Sequence, residues 1–248
     1  MSSLNQLSVF IITKDEEANL ERCLQSLPAG IDLLVVDSGS QDRTQEIARL
    51  YGARIFERPF DDFASQKNFA VDQCQHDWVL SLDADEVLVG NLEAVFDDAL
   101  YNGAYGFRLR RHLVFMGREM RYGKTKDAPL RLFHRGHGRY EGSIHESVKL
   151  NQGRASYLTG ITLLHHSYKD LADYFARFNR YTSAIADRHK SLGKKAPMVS
   201  HIFRPWLEFL SRYVFRLGFL DGYPGYTYAL ISSLYAYIKY AKLRELER

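Results

Sequence analysis

Asp83, Asp85 and Glu86 crowd one short stretch, directly after the uncharged run Trp78-Val79-Leu80-Ser81-Leu82. Carboxylates this close repel one another unless a cation neutralises them. An Asp-x-Asp pair on a divalent ion, with the ion in turn holding a phosphate, meets that need. An acidic helix N-terminus is the competing reading, because Asp and Glu favour that position. Two more polar stretches follow apolar runs: Thr13-Lys14-Asp15-Glu16, and Asp37-Ser38-Gly39-Ser40-Gln41-Asp42. The second joins a carboxylate to small, flexible residues. It suits a ribose or base edge that donates to Asp37 while the backbone of Ser38-Gly39-Ser40 stays close.

These stretches need elements to position them. Residues 78–82 read as a strand covered on both faces, as in the middle of a parallel sheet. Upstream, the pattern predicts strands over 7–12, 31–36 and 53–57. Helices are predicted over 17–27, 43–51 and 63–73, with Asp42 as a helix N-cap. Strand and helix alternate, which is the signature of parallel strands joined by right-handed crossovers. All three polar stretches then lie at the carboxyl edge, where α/β sheets bind ligands. No Gly-x-Gly-x-x-Gly follows the first strand and no Gly-x-x-x-x-Gly-Lys-Ser/Thr occurs, which disfavours dinucleotide and P-loop folds. Asp37, Asp83 and Asp85 rank above Glu16, which also suits a helix first turn, and Lys67, which also suits a solvated helix face.

The chain has 248 residues, 46% of them hydrophobic, enough for one large α/β domain with an appendage. A net charge of +3 makes the whole molecule no polyanion binder and gives no sign of nucleic acid. Cys23 and Cys74 fall in predicted helices without metal-like spacing and read as small core residues of a reducing compartment. No basic start followed by an apolar run opens the sequence, and no stretch approaches 18 uninterrupted apolar residues. The expectation is a cytoplasmic protein, with contact at the cytoplasmic face of the inner membrane left open.

The middle third predicts strands over 104–112, 129–134, 139–148 and 163–168 and is dense in basic residues: Arg108, Arg110, Arg111, Arg118, Arg121, Lys124, Lys126, Arg131, Arg135 and Arg139. Arginine at this density suits phosphate or carboxylate recognition; solvated strand faces are the alternative. The last eighty residues predict helices over 168–192, 201–219 and 226–246, with a turn over 221–225. They are aromatic and basic, with Trp206, Phe215, Arg216, Tyr226 and Lys239 among them. Such helices suit a membrane interface. Packing on the catalytic domain, or on a second copy in a homo-oligomer, fits the composition equally.

Four motifs in order carry a resemblance: Thr13-Lys14-Asp15-Glu16, Val36-Asp37-Ser38-Gly39-Ser40-Gln41-Asp42-Arg43-Thr44, Gln66-Lys67-Asn68-Phe69-Ala70 and Leu82-Asp83-Ala84-Asp85-Glu86. Together they resemble glycosyltransferase family 2, and within it the lipopolysaccharide core transferases of the inner-core beta-glucosyltransferase type. The resemblance implies a GT-A fold, Rossmann-like, with a mainly parallel central sheet flanked by helices, and here a C-terminal helical extension. It divides the chain at 1–168, with a nucleotide-sugar half over 1–100 and an acceptor half over 101–168, and at 169–248. It implies inverting transfer of a hexose, glucose first, from a UDP-sugar to a lipopolysaccharide core or other lipid-linked glycan, with Mn²⁺ or Mg²⁺. A polyprenyl-linked, capsule or protein acceptor is the alternative within enzymes. A non-catalytic sugar-nucleotide module is the alternative outside them.

Carried over, Thr13, Glu16, Asp37, Lys67, Asn68 and Asp83 serve the sugar nucleotide, and Asp83, Asp85 and His165 the metal. Glu146 in Ile144-His145-Glu146 supplies the base, with Glu141 and Asp127 as competing carboxylates and His166 as the alternative to His165. The chain departs from the family in having Asp15 where Asn is common and Arg43 where Gly is common.

Overall fold

The computed structural model describes residues 3–101, 103–142, 146–195 and 198–247. The chain forms two compact units. One comprises Met1–Arg111 and Asp127–His165; the other comprises His112–Lys126 and His166–Arg248. The sequence reading places the division at residue 168 and leaves 112–126 with the first part. In the structure this segment goes with the C-terminal helices.

The first unit opens with the expected alternation: β1 (Leu7–Thr13), α1 (Glu17–Gln25), β2 (Asp32–Asp37), α2 (Thr44–Leu50), β3 (Arg54–Glu57), α3 (Phe63–Gln73) and β4 (Trp78–Asp83). After it come β5 (Glu86–Gly90), α4 (Leu92–Tyr101), β6 (Gly106–Phe115), the short strands β7 (Arg118–Glu119) and β8 (Lys126–Asp127), β9 (Leu130–His134), β10 (Gly138–Glu141), β11 (Ser147–Leu150) and β12 (Ala155–His165).

The main sheet runs β3-β2-β1-β4-β9-β6-β12-β5. The pairs β3–β2, β2–β1 and β1–β4 are parallel. From β4 onward the pairs β4–β9, β9–β6 and β12–β5 are antiparallel. The sheet is therefore mixed, and its parallel character ends at β4. The strand period of two splits the core. Val9 and Ile11 of β1 join Leu80 and Leu82 under α1 and α4, while Phe10 joins Leu34, Val36 and Val79 under α3. Cys23 and Cys74 are free and buried, as expected.

Glu86 opens strand β5 and not a helix. The acidic helix start weighed for this stretch does not form.

In the second unit, residues 112–126 turn back at Met116 and Gly117, both at positive φ, so that Val114 pairs with Glu119 and Phe115 with Arg118. Then come α5 (Leu171–Ser191), α6 (Met198–Leu210), a π-helical turn (Ser211–Phe215) and α7 (Gly222–Leu246). Asp170 caps α5 by accepting from Asp173 N–H at 2.8 Å, and Arg188, His189 and Lys190 complement the dipole in its last turn. The buried Asp221 carboxylate accepts from Arg121 N–H at 3.1 Å and Tyr122 N–H at 2.9 Å. The turn expected over 221–225 is already the first turn of α7. Pro224 sits there because that position needs no intrahelical donor. No helix among the described residues is long and apolar enough to cross a membrane.

Candidate active site

Sheet register sets the site. Thr13 stands opposite Asp37 and Ile12 opposite Asp83, so the ends of β1, β2 and β4 come level. On β12, His165 stands opposite Glu86, beside the β4–β5 turn that carries Asp85.

The first two loops are fastened together. Ser40 Oγ accepts from Asp15 N–H at 2.9 Å, and Asp15 Oδ1 accepts from Gln41 N–H at 2.7 Å. Thr44 Oγ1 accepts from Glu16 N–H at 2.8 Å. Asp15 holds φ +54°, a conformation that Asp and Asn both tolerate better than most residues, so Asp in place of the family's Asn keeps the backbone of this loop. Asp42 accepts from Thr44 N–H at 2.9 Å and from Glu17 N–H at 3.0 Å, tying the starts of α2 and α1 together, but the N-cap position of α2 falls on Arg43, one residue later than expected.

Asp37 is placed differently from expectation. Its carboxylate is fully buried and accepts from Gly39 N–H, Ser40 N–H and Gln45 Nε2, with Ser40 Oγ as a further donor. It shapes the loop, and Ser38 lines the cavity instead. Asn68 also differs: its amide donates to Tyr140 C=O and accepts from Tyr140 N–H, both at 2.9 Å, tying α3 to β10.

A cavity of about 580 Å³ opens at this edge. Thr13, Glu16, Lys67 and Asp83 line it, together with Asp85, Glu146 and His165. Thr13 Oγ1 is buried there without a hydrogen-bond partner among the described residues. A buried hydroxyl left unsatisfied on a cavity wall is a ready contact for a ligand. Residues 143–145, including His145 of the Ile-His-Glu element, lie outside the described residues; Glu146 itself is described.

The carboxylates face a frame of cations. Lys67 Nζ stands 2.9 Å from Glu146 and 3.3 Å from Asp83. Arg131 donates to both Asp83 and Glu86, and Arg111 Nη1 lies 2.9 Å from Glu86. Glu86 is buried, and its carboxylate also accepts from Asp83 N–H at 3.0 Å, closing the β4–β5 turn. Burial pushes the Asp83 carboxyl up, but Arg131 and Lys67 outweigh it and hold the group well below the usual carboxylate range. Burial opposes the charge on Lys67; Asp83 is the first of the groups that keep its ammonium raised.

Part of the arginine-dense middle is thus committed to carboxylates of the chain itself. Arg131 and Arg111 neutralise the site's own acids, Arg135 pairs with Asp77, and Arg139 pairs with Asp72. Of the competing bases, Asp127 is held by Arg111 at 2.6 Å, and Glu141 ends β10 in an exposed position.

The metal reading divides the expected set. His165 Nε2 lies 3.2 Å from Asp85 Oδ2 on the cavity wall. Asp83, the third expected ligand, is engaged by Arg131 and Lys67. Among the described residues no cluster of three or more His, Cys, Asp and Glu side chains is spaced to hold a metal unaided. A carboxylate and an imidazole still fit a divalent cation whose remaining positions belong to donor phosphates and water.

Two features escaped the sequence. Phe60 and Phe63 form an edge-to-face pair, centroids 4.9 Å apart, at the cavity, although exposed. Arg111 lines the cavity, but in sequence it was indistinguishable from its basic neighbours. Its partner Glu86 lies 25 positions away, so no local signal in the sequence pairs the two.

The carboxyl edge of the sheet thus carries one cavity whose wall bears an Asp–His pair and a separate carboxylate. The glycosyl transferase family 2 model matches residues 8–148, and the chain belongs to this family. It is 32% identical to the lipopolysaccharide core biosynthesis glycosyltransferase LpsC of Rhizobium meliloti, over 96% of this chain and 91% of that one. It is 30% identical to the glycosyltransferase RT0209 of Rickettsia typhi, over 98% and 88% of the two chains. Among solved structures it is similar to S. aureus TarS 1-349 in complex with UDP-GlcNAc, with a TM-score of 0.49 and 16% identity, covering 93% of this chain and 81% of that one. The chain is a glycosyltransferase.

Proposed function

We propose that the protein transfers a hexose, glucose first, from a UDP-sugar to a lipid-linked glycan acceptor of the lipopolysaccharide core type, with inversion. The observation that carries this reading is one cavity wall bearing two separate acidic devices. Asp85 is paired with His165 at 3.2 Å, and Glu146 stands apart from that pair on Lys67. The name of the Rhizobium meliloti relative supports the acceptor class.

Asp85 and His165 would hold Mn²⁺ or Mg²⁺, which when bound offsets charge on the leaving diphosphate. Thr13 and Glu16 bind the nucleoside from the first loop, and Thr13 Oγ1 gains there the partner it lacks. Asp83, fixed by Arg131, faces the ribose. Glu146 takes the proton of the acceptor hydroxyl, and Lys67 holds that carboxylate in place until the acceptor arrives. Glu146→Gln should lower transfer by roughly 10²–10⁴-fold while UDP-sugar binding persists. Asp85→Ala should abolish the response of turnover to Mn²⁺. Near-normal transfer by Glu146→Gln would remove it as the base. Donor binding without turnover in the wild-type protein, across UDP-sugars and lipid-linked acceptors, would favour the non-catalytic module.

The acceptor's lipid accords with the face of the helical unit. Between residues 202 and 223, Phe203, Trp206 (69%), Phe215 (78%), Phe219 and Tyr223 are exposed, with Arg216 exposed in the same stretch. The acids of that stretch are turned in: Glu208 pairs with Arg212 and Asp221 is buried. Such a face fits an anionic bilayer surface. Trp206→Glu with Phe215→Glu should abolish co-sedimentation with anionic vesicles. A concentration-dependent dimer lost in the same variant, with no vesicle binding, would assign the face to a second copy.

A further inference from the structure

The helical unit carries a second, open cavity of about 690 Å³ between α5, α6, the π-helical turn and α7. Its volume is in the range of small-ligand sites. Tyrosine rings form much of the wall, among them Tyr181, Tyr228 and Tyr235, and Arg204, Arg212 and Lys239 bring three cations to it.

The charges do not balance. Glu208 also lines the cavity, and Arg212 Nε takes it at 2.7 Å. Among the described residues neither Arg204 nor Lys239 forms a salt bridge. Arg204 donates to the Tyr240 hydroxyl and lies 5.2 Å from that ring's centroid. Lys239 Nζ lies 5.2 Å from the same ring. One aromatic ring attracts both cations but neutralises neither. Burial and the neighbouring Arg204 push the Lys239 ammonium down. Burial, and then Lys194 and Lys239, push the His189 imidazole down beside them. In both groups burial leads and neighbouring cations add to it, and for Lys239 the Glu208 carboxylate opposes the shift without cancelling it.

The local backbone is also unusual. Ser211 and Arg212 enter the cavity from a π-helical turn, a departure from α geometry found often at functional sites. Tyrosine rings offer flat apolar faces with a polar edge, which suits sugar rings. Paired Arg and Lys suit a phosphate or carboxylate.

We propose that this cavity is a second saccharide site, which takes a sugar ring bearing a phosphate or carboxylate, with Arg204 and Lys239 on the anion and the tyrosines against the ring. The proposal rests on neither the donor chemistry nor the transfer step, so it stands or falls separately from them.

The test is calorimetry on the full chain with glucose 6-phosphate, glucuronate, glucose, inorganic phosphate and short-chain phosphatidylglycerol. Glucose 6-phosphate or glucuronate should bind, with glucose and inorganic phosphate weaker by at least roughly tenfold. Arg204→Gln and Lys239→Gln should each weaken the charged sugar by roughly tenfold or more, the scale of one charge-assisted hydrogen bond. Tyr181→Ala, at an exposed ring, should weaken the charged sugar several-fold and leave inorganic phosphate unchanged. Unaltered melting temperatures will show that the variants fold, and their UDP-sugar hydrolysis should match wild type. Failure of both charged sugars to bind would overturn the proposal. So would inorganic phosphate binding as tightly as the sugar phosphate, affinity indifferent to Arg204 and Lys239, or binding confined to the phospholipid headgroup.

Discussion

At the residue scale, the site consists of acids whose counter-charges come from distant parts of the chain. Arg131 is the clearest case: it is buried and donates to Asp83 and Glu86. Removing one partner of a buried ion pair leaves uncompensated charge. Arg131→Met should therefore cost about 3–5 kcal/mol in urea denaturation. A loss well under 1 kcal/mol would mean that Lys67 and Arg111 suffice. The thiols give a second check. Burial pushes Cys74 up to about 12 and Cys23 higher still. The reactive thiolate of Cys74 becomes abundant only as pH rises toward 12, so at pH 8 neither cysteine should react with iodoacetamide until the protein is unfolded. Residue types were legible in the sequence; their directions were less so. Asp37 and Ser38 both sit at a strand end, where period-two alternation stops informing. The sequence favoured the acid for the cavity, and the fold turned it inward.

At the element scale, the first four strands and three helices were readable because each apolar run is bounded by its own turn residues. Their observed ends shift by a residue or two. The antiparallel half was less readable. The partners of β4 and β5 are β9 and β12, and nothing local in 130–134 or 155–165 announces which strand each will meet. A glycine fixes one of these meetings. Gly90 holds φ +126°, and a Cβ there would run into the Gly160 carbonyl oxygen of β12. Backbone cannot move aside as a side chain can. Gly90→Ala should lower stability by about 1–3 kcal/mol, the usual cost of overpacking with strain. This pairing also sets His165 beside Asp85, so on the metal role proposed for that pair the Mn²⁺ concentration for half-maximal turnover should rise with it.

At the scale of the whole molecule, the division into units was the least legible feature. The sequence suggested a break near residue 168, yet residues 112–126 leave the first unit and join the last helices. The reason is long-range: Arg121 N–H and Tyr122 N–H reach the Asp221 carboxylate, a partner no local window contains. Asp221→Ala removes the charged acceptor of both N–H groups and should cost about 1.5–3 kcal/mol, the scale of hydrogen bonds to a charged group, read as a lower melting temperature. Deleting residues 200–248 to test the helices would remove this anchor as well, so Asp221→Ala is the control for any such truncation.

The same bond sets a clock. Arg121 and its acceptor are separated by 100 positions. At roughly 5–20 residues per second, a ribosome needs about 5–20 seconds to make the intervening chain. For that interval the segment over 112–126 has been synthesised and its anchor has not. The fold is thus finished from its last quarter backwards, and a chain stalled before Asp221 holds most of a catalytic sheet with one hairpin still waiting.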